Sequence, residues 1–164
     1  MDSRLIATEL EKLQPQPSLK LNDAVIDRAQ NAVSEVLKNL APALMPRVPA
    51  ILPPRSSEYF AVTRSRKFGM PLSELEESKG GEGAWQGAQA GFAMLGELLR
   101  EEGNGPYVGG QEVGYADFVV MGLWLFLQVL GRDGDLWARA KGMEGGVFET
   151  HYRACEKWAE RNDH

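Results

Sequence analysis

The 164-residue sequence predicts an all-α fold. Apolar residues recur at intervals of three and four in several long segments, which is the spacing of one helix face. No segment shows the alternating apolar and polar pattern of strands set between turn residues. The hydrophobic fraction of 43% is sufficient for the core of a single domain of this length.

The first two helices are predicted before a cluster of prolines. Ile6, Leu10 and Leu13 share one face of a helix that Asp2 or Ser3 is expected to cap. Asn22 or Asp23 is expected to cap the second helix, and Pro42 to end it. Its predicted apolar face contains Val25, Ala29, Ala32, Val36 and Leu40.

Five prolines between positions 42 and 54 predict an extended or turn-rich connection, because proline lacks the amide donor and has a fixed φ. We expect this segment to act as a stiff spacer or a lid. Ser56 or Ser57 is then expected to cap a third helix that ends near Phe68, and the stretch ESKGGEG is expected to form an exposed loop.

Four more helices are predicted in the second half of the chain. One runs from Ala84 to Glu102, and the next, from Tyr115 to Leu130, is apolar on every side and is expected to be the central, buried helix, with Gly131 at its end. Its Phe118, Leu125 and Phe126 are expected to contact the apolar stripe of the preceding helix. That stripe consists of Trp85, Ala88, Phe92, Leu95 and Leu99. A short helix near 136–140 and a last one at about 147–161 complete the prediction.

Composition excludes several classes of function. One cysteine, Cys155, cannot form an intramolecular disulfide, and no signal peptide opens the chain, so we expect a cytoplasmic protein. A net charge of −5 makes nucleic acid an unfavourable partner. The longest apolar run, 118–127, is about half the length needed to cross a bilayer, so no membrane association is expected.

The charge is unevenly distributed. Between Arg47 and Lys67 there are five basic residues and one acidic residue, so a positive segment lies within an acidic protein. This segment is interpreted either as a solvated helix face or as a rim that attracts anions beside a pocket.

His151 and Cys155, four residues apart on one predicted helix, could form a Cys-His pair, or they could be a packed cysteine beside a surface histidine. The latter is the preferred interpretation. No group of His, Cys and acidic residues has the spacing of a metal site, so no metal is expected.

Three separated stretches carry a resemblance to a known family. The segment VGYADF places Gly114 at an N-cap with Asp117 able to accept from the cap's amide, and Val113 can pack on Phe118. Together with GPYVGG it resembles the loop FxGGxxxSxADF of cytosolic glutathione transferases, with Gly114 in place of the hydroxyl residue. PPRSSEYFAVTRSRKFGMPLSEL and MDSRLIATELEKLQPQPSL resemble further segments of the fungal, β-etherase-related branch.

The resemblance implies the helical C-terminal domain of such a transferase at residues 19–164, with residues 1–18 as the last helix of a thioredoxin-like domain whose other parts are not in this sequence. Asp2 and Ser3 match residues that bind glutathione in the family. Because these two residues are only a fragment of the family's glutathione site, weak or no glutathione binding is expected here. Arg55, Tyr59 and Arg64 are the expected contacts of an apolar substrate, and the residue that activates the thiol is not in the sequence.

Three functions stay open at this point. The chain is a shortened glutathione transferase, or a relative recruited to a glutathione-independent isomerase, dehydratase or cyclase reaction on an apolar molecule, or a non-catalytic binding or assembly domain. A homodimer through residues near Leu5, Ile6 and Val25 is expected, because the first helix would otherwise expose an apolar side.

Overall fold

The computed structural model describes residues 3–21 and 24–160. Over these ranges the backbone forms helices joined by short turns, and the only β-type pairing is an isolated bridge between Tyr107 and Gly110. The all-α prediction is therefore confirmed. In chain order the helices are α1 (Ser3–Leu13), α2 (Val25–Leu44), α3 (Pro54–Phe68), α4 (Leu72–Lys79), α5 (Glu82–Glu101), α6 (Tyr115–Leu130), α7 (Asp135–Lys141) and α8 (Val147–Cys155), with 3₁₀ segments at Met45–Ile51, Glu144–Gly146 and Glu156–Trp158.

The contact between α2 and α5 forms the centre of the core. Small residues line it, and Ala32 and Ala88 have no exposed surface. A Cβ atom on Gly91 would lie only 2.8 Å from the backbone nitrogen of Val36 and 3.1 Å from the carbonyl oxygen of Ala32. The two helices therefore approach as closely as a glycine allows. The predicted stripe on α5 is buried throughout, at Trp85, Ala88, Phe92, Leu95 and Leu99.

The bounds of α6 agree with the prediction, but its orientation does not. Trp124 is fully buried and is part of a run of aromatic contacts in which Phe148 lies between Trp124 and Phe92, at ring-centroid distances of 4.8 and 5.9 Å. Phe118, Leu125 and Phe126 lie on the other side and are only partly buried. Leu125 and Phe126 pack against the core as partly buried residues, and the ring of Phe118 contacts that of Trp158. The most deeply buried side of α6 is thus not the predicted one, because a helix that is apolar all round does not indicate which side faces the core.

The outward side of α6 is apolar as well. We call it the open face of α6; it is formed by the exposed Gly122 and Val129, with the partly buried Phe118, Val119, Leu125 and Phe126 beside them. Val129 is 57% exposed, and a Cβ on Gly122 would meet no atom within 4 Å. The expectation that α6 is wholly buried is therefore corrected for this face.

The proline-rich segment is helical rather than extended. Pro42 lies inside α2, which continues to Leu44, and the next residues form the 3₁₀ segment Met45–Ile51. Pro54 is the first residue of α3, so neither Ser56 nor Ser57 is its cap. Proline is accepted in the first turn of a helix, where its missing amide has no intrahelical acceptor, and this explains the error in the prediction.

The stretch ESKGGEG is largely exposed, as expected, but most of it is helical rather than a loop. Its first three residues end α4, its last two residues begin α5, and Gly80 and Gly81 alone connect the helices. Leu72 and Leu75 of α4 are buried, and their packing against the core stabilises the helical conformation of residues 77–79.

The first and last helices are held at the edge of the bundle. In α1, Ala7 is the buried residue, whereas Leu5, Leu10 and Leu13 are 63%, 57% and 83% exposed. At the other end α8 is shorter than predicted, because a tighter turn at Glu156–Trp158 follows it. The predicted capping residues Asp2, Asn22 and Asp23, and the predicted helix end Arg161, lie outside the described residues.

Candidate functional site

Of the two residues predicted to bind glutathione, Ser3 is described and Asp2 is not. Ser3 is the first residue of α1, and its Oγ accepts a hydrogen bond of 3.0 Å from the Tyr115 hydroxyl at the start of α6. Arg4 adds a bond to Asp27 at 2.8 Å, which fixes the start of α1 against α2. The N-terminal end of α1 is thus attached to the helical domain.

The three residues predicted to contact substrate lie on α3, a helix with no buried residue. Arg55 and Tyr59 point outward together, and Tyr59 is 72% exposed. Val62 and Arg66 continue the same exposed stripe, at the spacing of one helix face. Arg64 lies on a different side, with its guanidinium carbon 4.8 Å from the centre of the Phe60 ring. The structure therefore places Arg55 and Tyr59 together and separates Arg64 from them.

Arg47, counted in the positive segment, has a structural role instead. Its Nε donates to Glu76 at 2.9 Å and its terminal nitrogen to Asp135 at 2.8 Å, and only 12% of the side chain is exposed. Arg47 thus joins the 3₁₀ segment after α2 to α4 and α7. Burial opposes the charged form of Asp135, but the hydrogen bond and charge of Arg47 outweigh it and lower the pKa of this carboxyl. The positive rim is therefore confined to α3.

A buried polar network lies at the start of α6. Asp117 Oδ2 accepts from the Gly114 amide at 2.7 Å, which confirms the predicted half of the capping box, and its Oδ1 accepts from the Val108 amide at 2.7 Å. His151 Nε2 lies 3.1 Å from the same Oδ1. Because the indole of Trp124 donates to His151 Nδ1 at 3.1 Å, the imidazole must hold its proton on Nε2 and donate it to Asp117.

The histidine of this network was expected on the surface, and that expectation was wrong, because His151 has no exposed surface. Cys155 is packed in the core, in agreement with the preferred interpretation of the sequence, and its Sγ lies 3.6 Å from His151 Nε2. Burial, and after it the charge of Asp117, raise the pKa of the Cys155 thiol to about 12. A protonated, enclosed thiol is a poor nucleophile.

Asp117, His151 and Cys155 bring three potential metal ligands within 4.8 Å of one another. The sequence did not reveal this group, because Asp117 lies 34 residues before His151. In the structure these groups are bonded within the protein: Asp117 accepts from two backbone amides and from His151 Nε2, and His151 Nδ1 accepts from the Trp124 indole. The cluster fastens α8 to the start of α6.

Two larger cavities are found among the described residues. One, of about 440 Å³, lies between the segment after α1, the loop before α6 and Trp158. The other, of about 270 Å³, lies beside α5 and α7 and is lined by the paired Arg47 and Arg139. Neither cavity includes Arg55, Tyr59 or Arg64. The predicted substrate residues therefore form an open surface in this chain rather than the wall of either cavity.

Comparison with known proteins relates this architecture to one family. The family model described as glutathione S-transferase, C-terminal domain, matches residues 24–158. The glutathione S-transferase-like protein ustS of Aspergillus flavus is 31% identical to the chain over an alignment 171 positions long, which covers 98% of the chain and 61% of that relative. The chain thus spans less than two thirds of this relative's length.

Solved structures of fungal enzymes agree. Glutathione transferase GSTFuA3 of Phanerochaete chrysosporium superimposes with a TM-score of 0.85 at 27% identity, over 99% of this chain and 66% of that protein. A glutathione S-transferase of Ceriporiopsis subvermispora, solved in complex with glutathione, gives a TM-score of 0.84 at 30% identity, over 99% of this chain and 68% of that protein.

Within residues 3–21 and 24–160, no helix combines the length and apolar character that a bilayer crossing requires. The helical bundle, the Asp117 cap of α6 and the match over residues 24–158 all agree with the resemblance drawn from the motifs. The chain belongs to the glutathione S-transferase family, in which it corresponds to the C-terminal helical domain.

Proposed function

We propose that this chain supplies the apolar-substrate half of a glutathione transferase-like site. In this proposal residues 1–18 are the last helix of a thioredoxin-like domain and residues 19–164 are the helical domain. The observation that supports it is the superposition of nearly the whole chain on two thirds of a transferase that was solved with glutathione. A cytoplasmic location is part of the proposal, because the single cysteine is a buried, unpaired thiol.

The substrate surface is assigned to the exposed stripe of α3. Tyr59 offers an aromatic side chain that is 72% exposed, with Arg55 one turn before it and Val62 one turn after it. An apolar substrate would contact Tyr59 and Val62, and the arginines of the stripe would attract the anionic groups of glutathione or of a conjugate.

Glutathione itself is expected to bind weakly. Ser3 is the described residue that the resemblance assigns to it, and the Ser3 hydroxyl already accepts from Tyr115. The thiol also needs an activating residue, which the resemblance locates in the thioredoxin-like domain.

A direct experiment tests these expectations. The 164-residue chain is incubated with glutathione and 1-chloro-2,4-dinitrobenzene, and glutathione binding is measured by calorimetry. We expect no conjugation above the uncatalysed rate and at most millimolar binding. Rapid conjugation, or a tight one-to-one titration, would contradict the proposal and would indicate a rebuilt site or a second polypeptide.

A binding or assembly role is the second candidate, and a specific observation favours it. Ile6 and Leu10 of α1 are 44% and 57% exposed, so the helix presents apolar surface on the side away from the bundle. Association of two copies near Leu5, Ile6 and Val25 would remove this surface from water, and we propose a homodimer. Sedimentation equilibrium at micromolar concentration distinguishes the dimer from a strict monomer, which would contradict it.

A glutathione-independent isomerase, dehydratase or cyclase reaction would need a reactive group that faces solvent or a cavity. Asp117, His151 and Cys155 offer no solvent-exposed group, since all three are buried and His151 is bonded to both of the others. The polar network therefore gives this third candidate no support.

A further inference from the structure

The basic residues of α3 differ from most others in the described part of the chain, because they have no acidic partner. Most of the described arginines and lysines pair with a carboxylate, as Arg28 does with Glu101 at 2.7 Å. None of the ion pairs within residues 3–21 and 24–160 includes a basic residue of α3. These basic residues are Arg55, Arg64, Arg66 and Lys67.

The exposed stripe of α3 combines charge with apolar surface. Arg55 and Arg66 lie at its two ends, and the residues between them correspond to about 16 Å along a helix axis. Tyr59 and Val62, which are 72% and 45% exposed, lie between the two arginines. Tyrosine and arginine are enriched among the residues that dominate protein–protein binding. The stripe therefore has two cationic ends and an apolar centre, on a helix with no buried side chain.

The surroundings of the stripe limit the kind of anion that fits it. Helix α4 packs against α3, and its Glu74 and Glu77 are exposed. The positive surface is thus no longer than α3 itself, about 22 Å, on a protein with a net charge of −5. A membrane surface or a nucleic acid duplex extends beyond α3 and would face these acidic residues. A short acidic segment would contact the arginines alone, and charges beyond about 8 Å from it would be screened by salt.

We propose that the exposed stripe of α3 binds an acidic amphipathic helix of a partner protein. Two carboxylates of that helix, eleven residues apart, pair with Arg55 and Arg66, and apolar side chains between the carboxylates cover Tyr59 and Val62. The intervals along the stripe are four, three and four residues, so a partner helix with the same intervals is complementary in either direction. This inference goes beyond the proposed transferase role and does not depend on it, although it uses the same face of α3.

The test uses a synthetic peptide with this pattern. The peptide is a helix of alanine and glutamine that carries glutamates at its positions 3 and 14 and leucines at its positions 7 and 10. Its control has glutamines in place of the two glutamates. Both peptides are titrated into the nitrogen-15-labelled 164-residue protein. We expect the glutamate peptide to shift the amide resonances of residues 55–67 and to bind about 2- to 30-fold more tightly than the control, as two exposed ion pairs allow.

Variants then separate the contribution of charge from that of apolar contact. The double variant Arg55→Gln/Arg66→Gln should lose the preference for the glutamate peptide and bind the control peptide as the wild type does. Lys12→Gln/Lys38→Gln, which makes the same change in net charge on α1 and α2, should keep the preference. Tyr59→Ala should weaken both peptides at least about fivefold. Because Tyr59 is 72% exposed, this variant should fold, and its unfolding in urea establishes whether it does.

Three results would overturn the proposal. The first is that the glutamate peptide shifts no resonance of α3 at millimolar concentration. The second is that Arg55→Gln/Arg66→Gln keeps the wild-type preference for this peptide. The third is that vesicles of phosphatidylserine and phosphatidylcholine, or a DNA duplex, bind to α3 more tightly than the peptide at physiological ionic strength. Conjugation of 1-chloro-2,4-dinitrobenzene is measured independently, so a failure of this inference is distinguishable from a failure of the proposed transferase role.

Discussion

Two glycines in long helices give a sharp test of how closely α2 and α5 pack. Alanine at position 91 would place its Cβ 2.8 Å from both the Val36 nitrogen and its Cγ2, and 3.1 Å from the Ala32 carbonyl oxygen. Alanine at position 122 would meet nothing within 4 Å. The same substitution therefore meets a crowded interface in α5 and open space in α6.

The magnitude follows from these distances. The contacts at position 91 include backbone atoms, so the helices themselves must separate by roughly 0.6 Å to reach an ordinary van der Waals distance, which weakens dispersion along the interface. We place this overpacking at about 2–4 kcal/mol. The intrinsic preference of helices for alanine over glycine offsets about 1 kcal/mol of this cost, so the free energy of unfolding should fall by about 1–3 kcal/mol. Gly122→Ala should instead gain up to about 1 kcal/mol.

Urea unfolding followed by far-ultraviolet circular dichroism measures both variants. Gly91→Ala should lower the midpoint with an unchanged slope, and the two variants should differ by about 1–4 kcal/mol in free energy of unfolding. Equal stability of Gly91→Ala and the wild type would refute the close packing of α2 on α5. A loss at Gly122 equal to that at Gly91 would show that another segment covers the open face of α6.

Three further predictions follow from the core, from Arg47 and from Cys155. Trp124→Ala should cost about 3–5 kcal/mol and Phe118→Ala only about 1–2 kcal/mol, because Trp124 is fully buried and Phe118 is partly exposed; equal losses in thermal unfolding would contradict this order. Since the pKa of Asp135 is lowered in the folded state, its contribution is present above its unfolded value of 3.8 and is lost as the pH falls below it. The free energy of unfolding should thus decrease from about pH 5 to pH 3, less so in Asp135→Asn, while Glu77→Gln on the surface of α4 keeps the wild-type slope. Cys155, with a pKa of about 12, should react with Ellman's reagent at pH 8 at least about 100-fold more slowly in the folded chain than in urea, and equal rates would show that the thiol is accessible.

Local signals in the sequence were sufficient to predict several elements. The bounds of α6 could be predicted because Gly114, Asp117 and Gly131 mark its two ends. The buried stripe of α5 could be predicted because its apolar residues follow the helical period. Features that depend on distant partners could not. Arg47 is paired with residues 29 and 88 positions away, and His151 is fixed by Trp124 and Asp117, so neither role is visible in the neighbouring sequence.

In the candidate site, too, features with a local sequence signal could be predicted, whereas features that depend on distant residues could not. The motif around α3 identified Arg55 and Tyr59, and both are exposed on one face. The cavity of about 440 Å³ was not predicted, because its walls come from three segments that meet only in the folded chain. The side of α6 that stays open could not be predicted either, since both sides are equally apolar.

The weak attachment of α3 has a consequence for the way the protein opens. A helix of 15 residues without a buried side chain can leave the bundle while the contact between α2 and α5 stays intact. Helix α3 also contains four cleavage sites for trypsin, after Arg55, Arg64, Arg66 and Lys67. We therefore expect early cleavage by trypsin within the segment assigned to substrate binding, while the two fragments stay joined through the core.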